Sequence, residues 1–174
     1  QVSGGLGATG NVYSGNVYTP GIISAAGNVT VSGTGGISVP NLPAFRVYGS
    51  VGTNIAANTT ITSTQGATVD YNTGSYYDNS TGLFTAPVAG IYSATATLRV
   101  GSTSGMNQAS IQKNNNASGS NIVAFWEING TGNVGHMAMS GTTKLAVGDT
   151  LRLQVLAGNV NFDPNDSWAV TFLG

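Results

Sequence analysis

The sequence predicts an all-β chain, and three observations carry that prediction. Over residues 91–100 the side chains alternate: Tyr92, Ala94, Ala96, Leu98 and Val100 share one face, and Ile91, Ser93, Thr95, Thr97 and Arg99 share the other. This is the two-residue period of a half-buried strand. Turn-forming clusters recur, as in Asp78-Asn79-Ser80-Thr81-Gly82 and Asn114-Asn115-Asn116, where short polar side chains bond their own backbone and tolerate positive φ. Finally, no segment sustains a 3.6-residue apolar period over ten residues, so helices are not expected.

The 174 residues suffice for one full domain with an appendage, and fall short of two ordinary domains. Only five basic and six acidic residues are present, 6% of the chain, against about 25% in ordinary soluble domains. A chain so poor in charge is expected to bury surface between subunits, or to wet it with Ser, Thr, Asn and Gly. The net charge is −1 and the basic residues are scattered from Arg46 to Arg152, which argues against nucleic acid as a partner. Cysteine is absent, so disulfide and thiolate chemistry are excluded. No run of 18 apolar residues occurs, and no helical membrane span is expected. Gln1 shows neither an initiator Met nor a signal peptide, so the chain reads as a fragment or a processed product.

Residues 1–40 carry no charge and ten glycines, with branched residues in short bursts at Val12, Val17, Ile22, Val29, Val31, Ile37 and Val39. Such a segment cannot bury those side chains alone. One reading is a shaft of short strands from three chains wound about one axis, as in proteins whose core comes from neighbouring units; the other is a Gly-rich linker. Pro40-Asn41-Leu42-Pro43 marks the boundary, since two prolines interrupt helix and ladder alike. The expected division is therefore 1–43, shaft or linker, and 44–174, a head.

Within the head, Ala44-Phe45-Arg46-Val47-Tyr48 suits a first strand, and the Thr- and Asn-rich residues 51–72 suit short strands joined by loops. After the turn at 78–82 the chain resumes as Leu83-Phe84-Thr85, and Pro87 and Gly90 bend it into the strand from Ile91. Ala109–Lys113 reads as a short strand ending in the Asn114–Asn116 turn. Residues 122–128 are apolar on both faces, which predicts that both faces are covered. Met137 and Met139 share a face in the next strand; Leu151, Leu153 and Val155 point one way and Arg152, Gln154 and Leu156 the other; Ser167–Leu173 is the last strand.

These residues carry a resemblance. Tyr77-Asp78 followed by Ser80-Thr81-Gly82-Leu83-Phe84-Thr85-Ala86-Pro87-Val88-Ala89-Gly90-Ile91-Tyr92 resembles the signature of the globular head of the complement first-component q subunit. Pro43-Ala44-Phe45, Ile111-Gln112-Lys113-Asn114, Leu145-Ala146-Val147-Gly148-Asp149 and Ser167–Leu173 are similar to further stretches of that family, in the same order. The resemblance implies a ten-stranded jelly roll shared with the tumour necrosis factor superfamily, and a homotrimer. The Gly-Asn-Val use of the first forty residues resembles segments of bacteriophage fibre proteins.

Chemistry has few places to reside. His136 is the only histidine and no Gly-x-Ser-x-Gly elbow accompanies it, so a catalytic triad is not expected and His136 reads as a packing or interface residue. Asn159, Asn161, Asp163 and Asn165 place an oxygen at every second residue, with Asp166 next. Calcium takes six to eight oxygens from such loops, and the resemblance implies that Asp163 and Asp166 could hold it. The competing reading is a Pro-containing turn whose Asx side chains bond backbone. No other cofactor is expected. Tyr71, Tyr76 and Tyr77 are candidate receptor contacts, because tyrosine joins apolar area to a hydroxyl; interface packing is the alternative.

The resulting expectation is a non-enzymatic structural protein of a virus particle, a phage tail or head fibre. It would be trimeric, joined to other virion proteins through its N-terminal side, with a C-terminal knob for a cell-surface glycan or protein. The alternative is a bacterial or spore surface appendage or capsid decoration whose head only trimerises.

Overall fold

A computed structural model describes residues 42–100, 105–116, 118–129 and 135–174. The expected shaft or linker, 1–43, lies almost wholly outside the described residues. Among the described residues thirteen strands form: β1 (Ala44–Gly49), β2 (Val51–Ile55), β3 (Thr59–Thr60), β4 (Ala67–Thr73), β5 (Tyr77–Asp78), β6 (Leu83–Thr85), β7 (Gly90–Val100), β8 (Met106–Lys113), β9 (Ile122–Asn129), β10 (Gly135–Leu145), β11 (Thr150–Ala157), β12 (Val160–Phe162) and β13 (Ser167–Phe172). Among the described residues helical geometry is confined to two 3-10 turns, Ser63–Gln65 and Gly119–Asn121.

The strands make two antiparallel sheets. One runs β2-β12-β7-β13-β1-β4, with β10 paired along the whole of β7; the other runs β5-β6-β11-β8-β9, with β3 added to β11. The ten strands implied by the resemblance become thirteen segments. The two-residue pieces β3 and β5 pair over two positions only, and a register shift at Asn161/Phe162 shortens β12.

Alternation decides what each strand buries. Tyr92, Ala94, Ala96, Leu98 and Val100 all face inward at 3% exposure or less, as expected, and Leu151, Leu153 and Val155 meet them from the second sheet. An aromatic cluster ties the layers together. Phe45 stacks on Tyr77 at 4.1 Å and on Phe84 at 5.5 Å, and meets Trp168 edge-on at 5.3 Å. Such pairs add about 0.5–1.5 kcal/mol each beyond the area they bury.

The turns follow the predicted chemistry. Asp78 accepts the Ser80 N–H on its side chain at 2.8 Å and the Gly82 N–H on its carbonyl at 2.8 Å. Asn114 and Asn115 adopt φ of 52° and 57°, a region asparagine tolerates better than most residues. At β9 the expectation fails. Val123, Ala124 and Trp126 lean on the core, but Phe125 is 47% and Ile128 37% exposed. β9 is the outer strand of its sheet, hydrogen-bonded to β8 alone, and Phe125 and Ile128, on its two opposite faces, are both left open.

Candidate functional site

Two neighbouring features of the first sheet stand out: a polar cluster where β12 and β13 divide, and the smooth outward face beside it. β13 pairs with β7 from Tyr92 to Thr97, whereas β12 pairs with it at Arg99 and Val100. Between them the chain turns through Asp163-Pro164-Asn165-Asp166, closed by Asp166 N–H on Asp163 O at 2.9 Å and Asn165 N–H on Asp163 Oδ1 at 3.0 Å. Gly49 makes room for this turn: a Cβ there would lie 2.3 Å from the carbonyl oxygens of Phe162 and Asp163.

The Asp166 carboxylate, 1% exposed, takes the place of a missing strand partner. Its Oδ2 accepts the N–H of Arg99 at 3.1 Å and that of Asp163 at 2.9 Å, and its Oδ1 is 3.1 Å from His136 Nδ1. Asp163 Oδ2 faces Arg99 Nη1 at 3.3 Å. His136 and Arg99 are register partners on β10 and β7, which is why they converge on the turn. The structure thus brings Asp163 and Asp166 together and adds His136 and Arg99. Nothing in their linear spacing announces this, because the register of β7, β10 and the turn creates it.

Environment separates the two carboxyls. Burial raises Asp166 above the usual carboxylate range, against the pull of the Asp163 and His136 hydrogen bonds. At Asp163 burial also opposes ionisation, but the Asn165 N–H, Arg99 and His136 outweigh it and leave the carboxyl below that range. Carboxyls pushed apart can serve as an acid and a base. Here, however, their oxygens accept from the chain's own donors.

Ligand atoms of His136, Asp163 and Asp166 lie within 4.8 Å of one another. Two carboxylates, one imidazole and an adjacent guanidinium are a poor set for calcium, which requires six to eight oxygens. The geometry instead matches the Asx-turn reading.

The candidate contact tyrosines separate as well. Tyr71 is 43% exposed, Tyr76 is half-buried, and Tyr77 is 4% exposed beneath Phe45. Burial, with Asp78 alongside, holds the Tyr77 phenol far above its ordinary pKa. Tyr77 is therefore a core residue, corrected from an exposed contact: its inward phase on β5 places it in the aromatic cluster.

Beside the polar cluster, the middle of the outward face of β10, β7 and β13, between the Arg99–His136 and Ile91–Lys144 pairs, carries small uncharged side chains. Thr95, Thr97, Ala138, Ser140 and Ser167 line a shallow depression of about 270 Å³. Across it Ala138, Thr97 and Ser167 form one row and Ser140, Thr95 and Ala169 the next.

A model of the C1q domain matches residues 44–174. The chain belongs to the C1q domain family. Solved structures share the fold of this C1q domain. The globular domain of the zebrafish complement 1qA protein is 16% identical with a TM-score of 0.51, over 74% of this chain and 92% of that one. Eiger, a TNF from S. frugiperda, is 12% identical with a TM-score of 0.60, over 77% and 94%. Murine APRIL at pH 5.0 is 9% identical with a TM-score of 0.55, over 76% and 99%. A search of the curated proteins found no match.

Proposed function

We propose that this C1q domain is the C-terminal knob of a homotrimeric, non-enzymatic fibre protein of a virus particle, a phage tail or head fibre, and that the knob contacts the host surface. The observation that carries the reading is the pairing of two unsatisfied surfaces on one chain. The middle of the outward face of the first sheet offers a flat seat of Ser, Thr and Ala, and the outer strand β9 offers exposed Ile128. Seating the edge of one copy on the face of the next is a head-to-tail contact, and three such contacts close a ring. A chain with 6% charged residues can form that contact while stranding few charges. A well-packed interface of about 800 Å² per partner would hold the ring.

The fibre context draws on the charge-free, glycine-rich first forty residues and their Gly-Asn-Val repetition. Three knobs on one axis convert weak contacts with a glycan or surface protein into useful avidity, with Tyr71 and Tyr76 available at the surface. Sedimentation of the head at micromolar concentration is expected to give a trimer; a monomer would overturn the assembly. Labelled heads are expected to decorate host cells and to block adsorption of the particle. A trimer that binds no cells or glycans would favour the surface-appendage or capsid-decoration reading.

A further inference from the structure

All five lysines and arginines and all six acids lie among the described residues, so their pairing can be followed completely. Arg46 pairs with Asp70, Arg99 with Asp163 and Lys113 with Asp149. Arg152 is the one arginine without a carboxylate.

It is nevertheless held firmly. Its Nε and Nη2 donate to Gln112 Oε1 at 2.9 and 2.7 Å, and Nη2 donates also to Gln154 Oε1 at 3.0 Å. Gln112 is wholly buried, and its Nε2 donates to Gln154 Oε1 and Ser110 Oγ, both at 2.8 Å; Gln154 Nε2 reaches Asn58 O at 3.3 Å. This cradle uses three of the five guanidinium N–H groups. The remaining two, on Nη1, have no partner among the described residues, and Nη1 is not sealed from solvent. Neutral amides thus orient the cation without neutralising it. Two neighbouring carboxylates are engaged elsewhere: Asp78, two strands away in the same row, by Ser80, and Glu127 by Gln108.

Register gives the surroundings on this outward face of the second sheet. Leu83, Arg152 and Gln112 form one row, with Thr85 and Thr150 in a row to one side. Gln154, Ser110 and Phe125 form the row on the other side, where the Phe125 ring is 47% exposed. Strands are spaced about 4.8 Å apart, so Phe125 is within reach of a second sugar ring docked beside Arg152. Hydroxyls, an amide and one open ring around a single cation suit a polyhydroxylated anion of low charge density. A polyphosphate would demand several cations.

We infer that Arg152, oriented by Gln112 and Gln154, is the anchor of an anion subsite that takes the carboxylate of an acidic sugar, resting on the host-contact reading above.

The test is calorimetric titration of the full chain with oligogalacturonate, its methyl ester, inorganic phosphate and sulfate. Oligogalacturonate is expected to bind, and the ester to bind roughly ten-fold more weakly or worse, the usual worth of one charge-assisted hydrogen bond. Arg152→Met is expected to lose binding. Gln112→Glu sets a carboxylate against Arg152 at the loss of the Nε2 donations to Gln154 and Ser110; with its fold verified by circular dichroism, it is expected to weaken binding similarly. It decides the matter should Arg152→Met fail to fold. Equal binding of acid and ester, full binding by Gln112→Glu, or no anion bound would overturn the site. A preference for phosphate or sulfate over the uronate would overturn the sugar assignment. Attachment to host cells is scored alongside: cell binding that survives Gln112→Glu sinks this subsite but not attachment, whereas uronate binding without cell binding sinks attachment but not the subsite.

Discussion

Gly141 on β10 lies directly against the backbone of Val123 on β9, so close that a Cβ on residue 141 would sit 2.2 Å from the Val123 carbonyl oxygen. These strands belong to different sheets and share no ladder, so the contact is a seam where the sandwich closes. Gly141→Ala would drive a methyl into a carbonyl that cannot rotate away. The expected cost is about 1–3 kcal/mol, the usual range for forced overpacking, read as a lower midpoint in urea. An unchanged midpoint would show that β9 can move off β10 freely.

Tyr92 joins the same core to the bend that precedes it. Its hydroxyl donates to Val88 O at 2.8 Å, and its ring meets Phe84 and Phe172 edge-on. Tyr92→Phe keeps the ring contacts and strands one carbonyl, a loss of about 1 kcal/mol. Tyr92→Asp buries an unpaired carboxylate at a position with 0% exposure and is expected to abolish folding. Soluble, folded protein from that variant would refute the inward facing of Tyr92.

Acid sensitivity should be traceable to Asp149, in the β10–β11 connection. Lys113 Nζ at 2.7 Å, Asn114 Nδ2 at 2.8 Å and the Ala146 N–H at 2.8 Å hold its carboxyl down to about 2. A carboxyl lowered in the folded state binds fewer protons there than in the unfolded chain. Its stabilisation is therefore full above the ordinary carboxylate range, near pH 4–5, and is lost as pH falls toward 2. The stability gap between the native protein and Asp149→Asn is expected to shrink over that window in urea titrations at stepped pH. A gap constant down to pH 2 would remove Asp149 from the acid limb.

How much of this was legible depends on whether a feature is local or made by register. Tyr92 to Val100 could be read directly, because one buried face with period two allows a single phase. The Asp78–Gly82 turn was equally plain, its bonds spanning at most four residues. Phe125 and Ile128 misled, since an apolar side chain reads the same whether its own chain covers it or an outer strand leaves it open. His136 and Asp166 are 30 residues apart, and Arg152 and Gln112 are 40 apart. Only the ladders bring them together, so neither the polar cluster nor the glutamine cradle has a linear signature. Tyr77 failed for a local reason: beside exposed Asp78 it looks like part of a turn, yet its ring stacks on Phe45.

The cluster at the β12–β13 division gives a further prediction. Its carboxylates serve backbone and side-chain donors, so a chelator or added calcium is expected to leave the melting temperature unchanged. Asp166→Ala strands the N–H groups of Arg99 and Asp163 and should cost about 1–3 kcal/mol per unsatisfied group that water cannot reach. A melting temperature raised by millimolar calcium, and lowered again by the chelator, would show instead that the assembled protein completes an oxygen shell around Asp163 and Asp166.

Assembly can be separated from folding at Ala138. This residue is exposed on β10, opposite Thr97, in the depression of small side chains. Its side chain points away from the core, so Ala138→Arg is expected to leave the chain's own sandwich intact. In the assembled ring the same guanidinium would have to lose its water against a face of methyls and hydroxyls, at a cost of several kcal/mol unless a carboxylate meets it. Sedimentation of Ala138→Arg should therefore show a folded monomer with the native β-sheet circular dichroism. A trimer of native stability from this variant would mean that copies meet elsewhere on the domain.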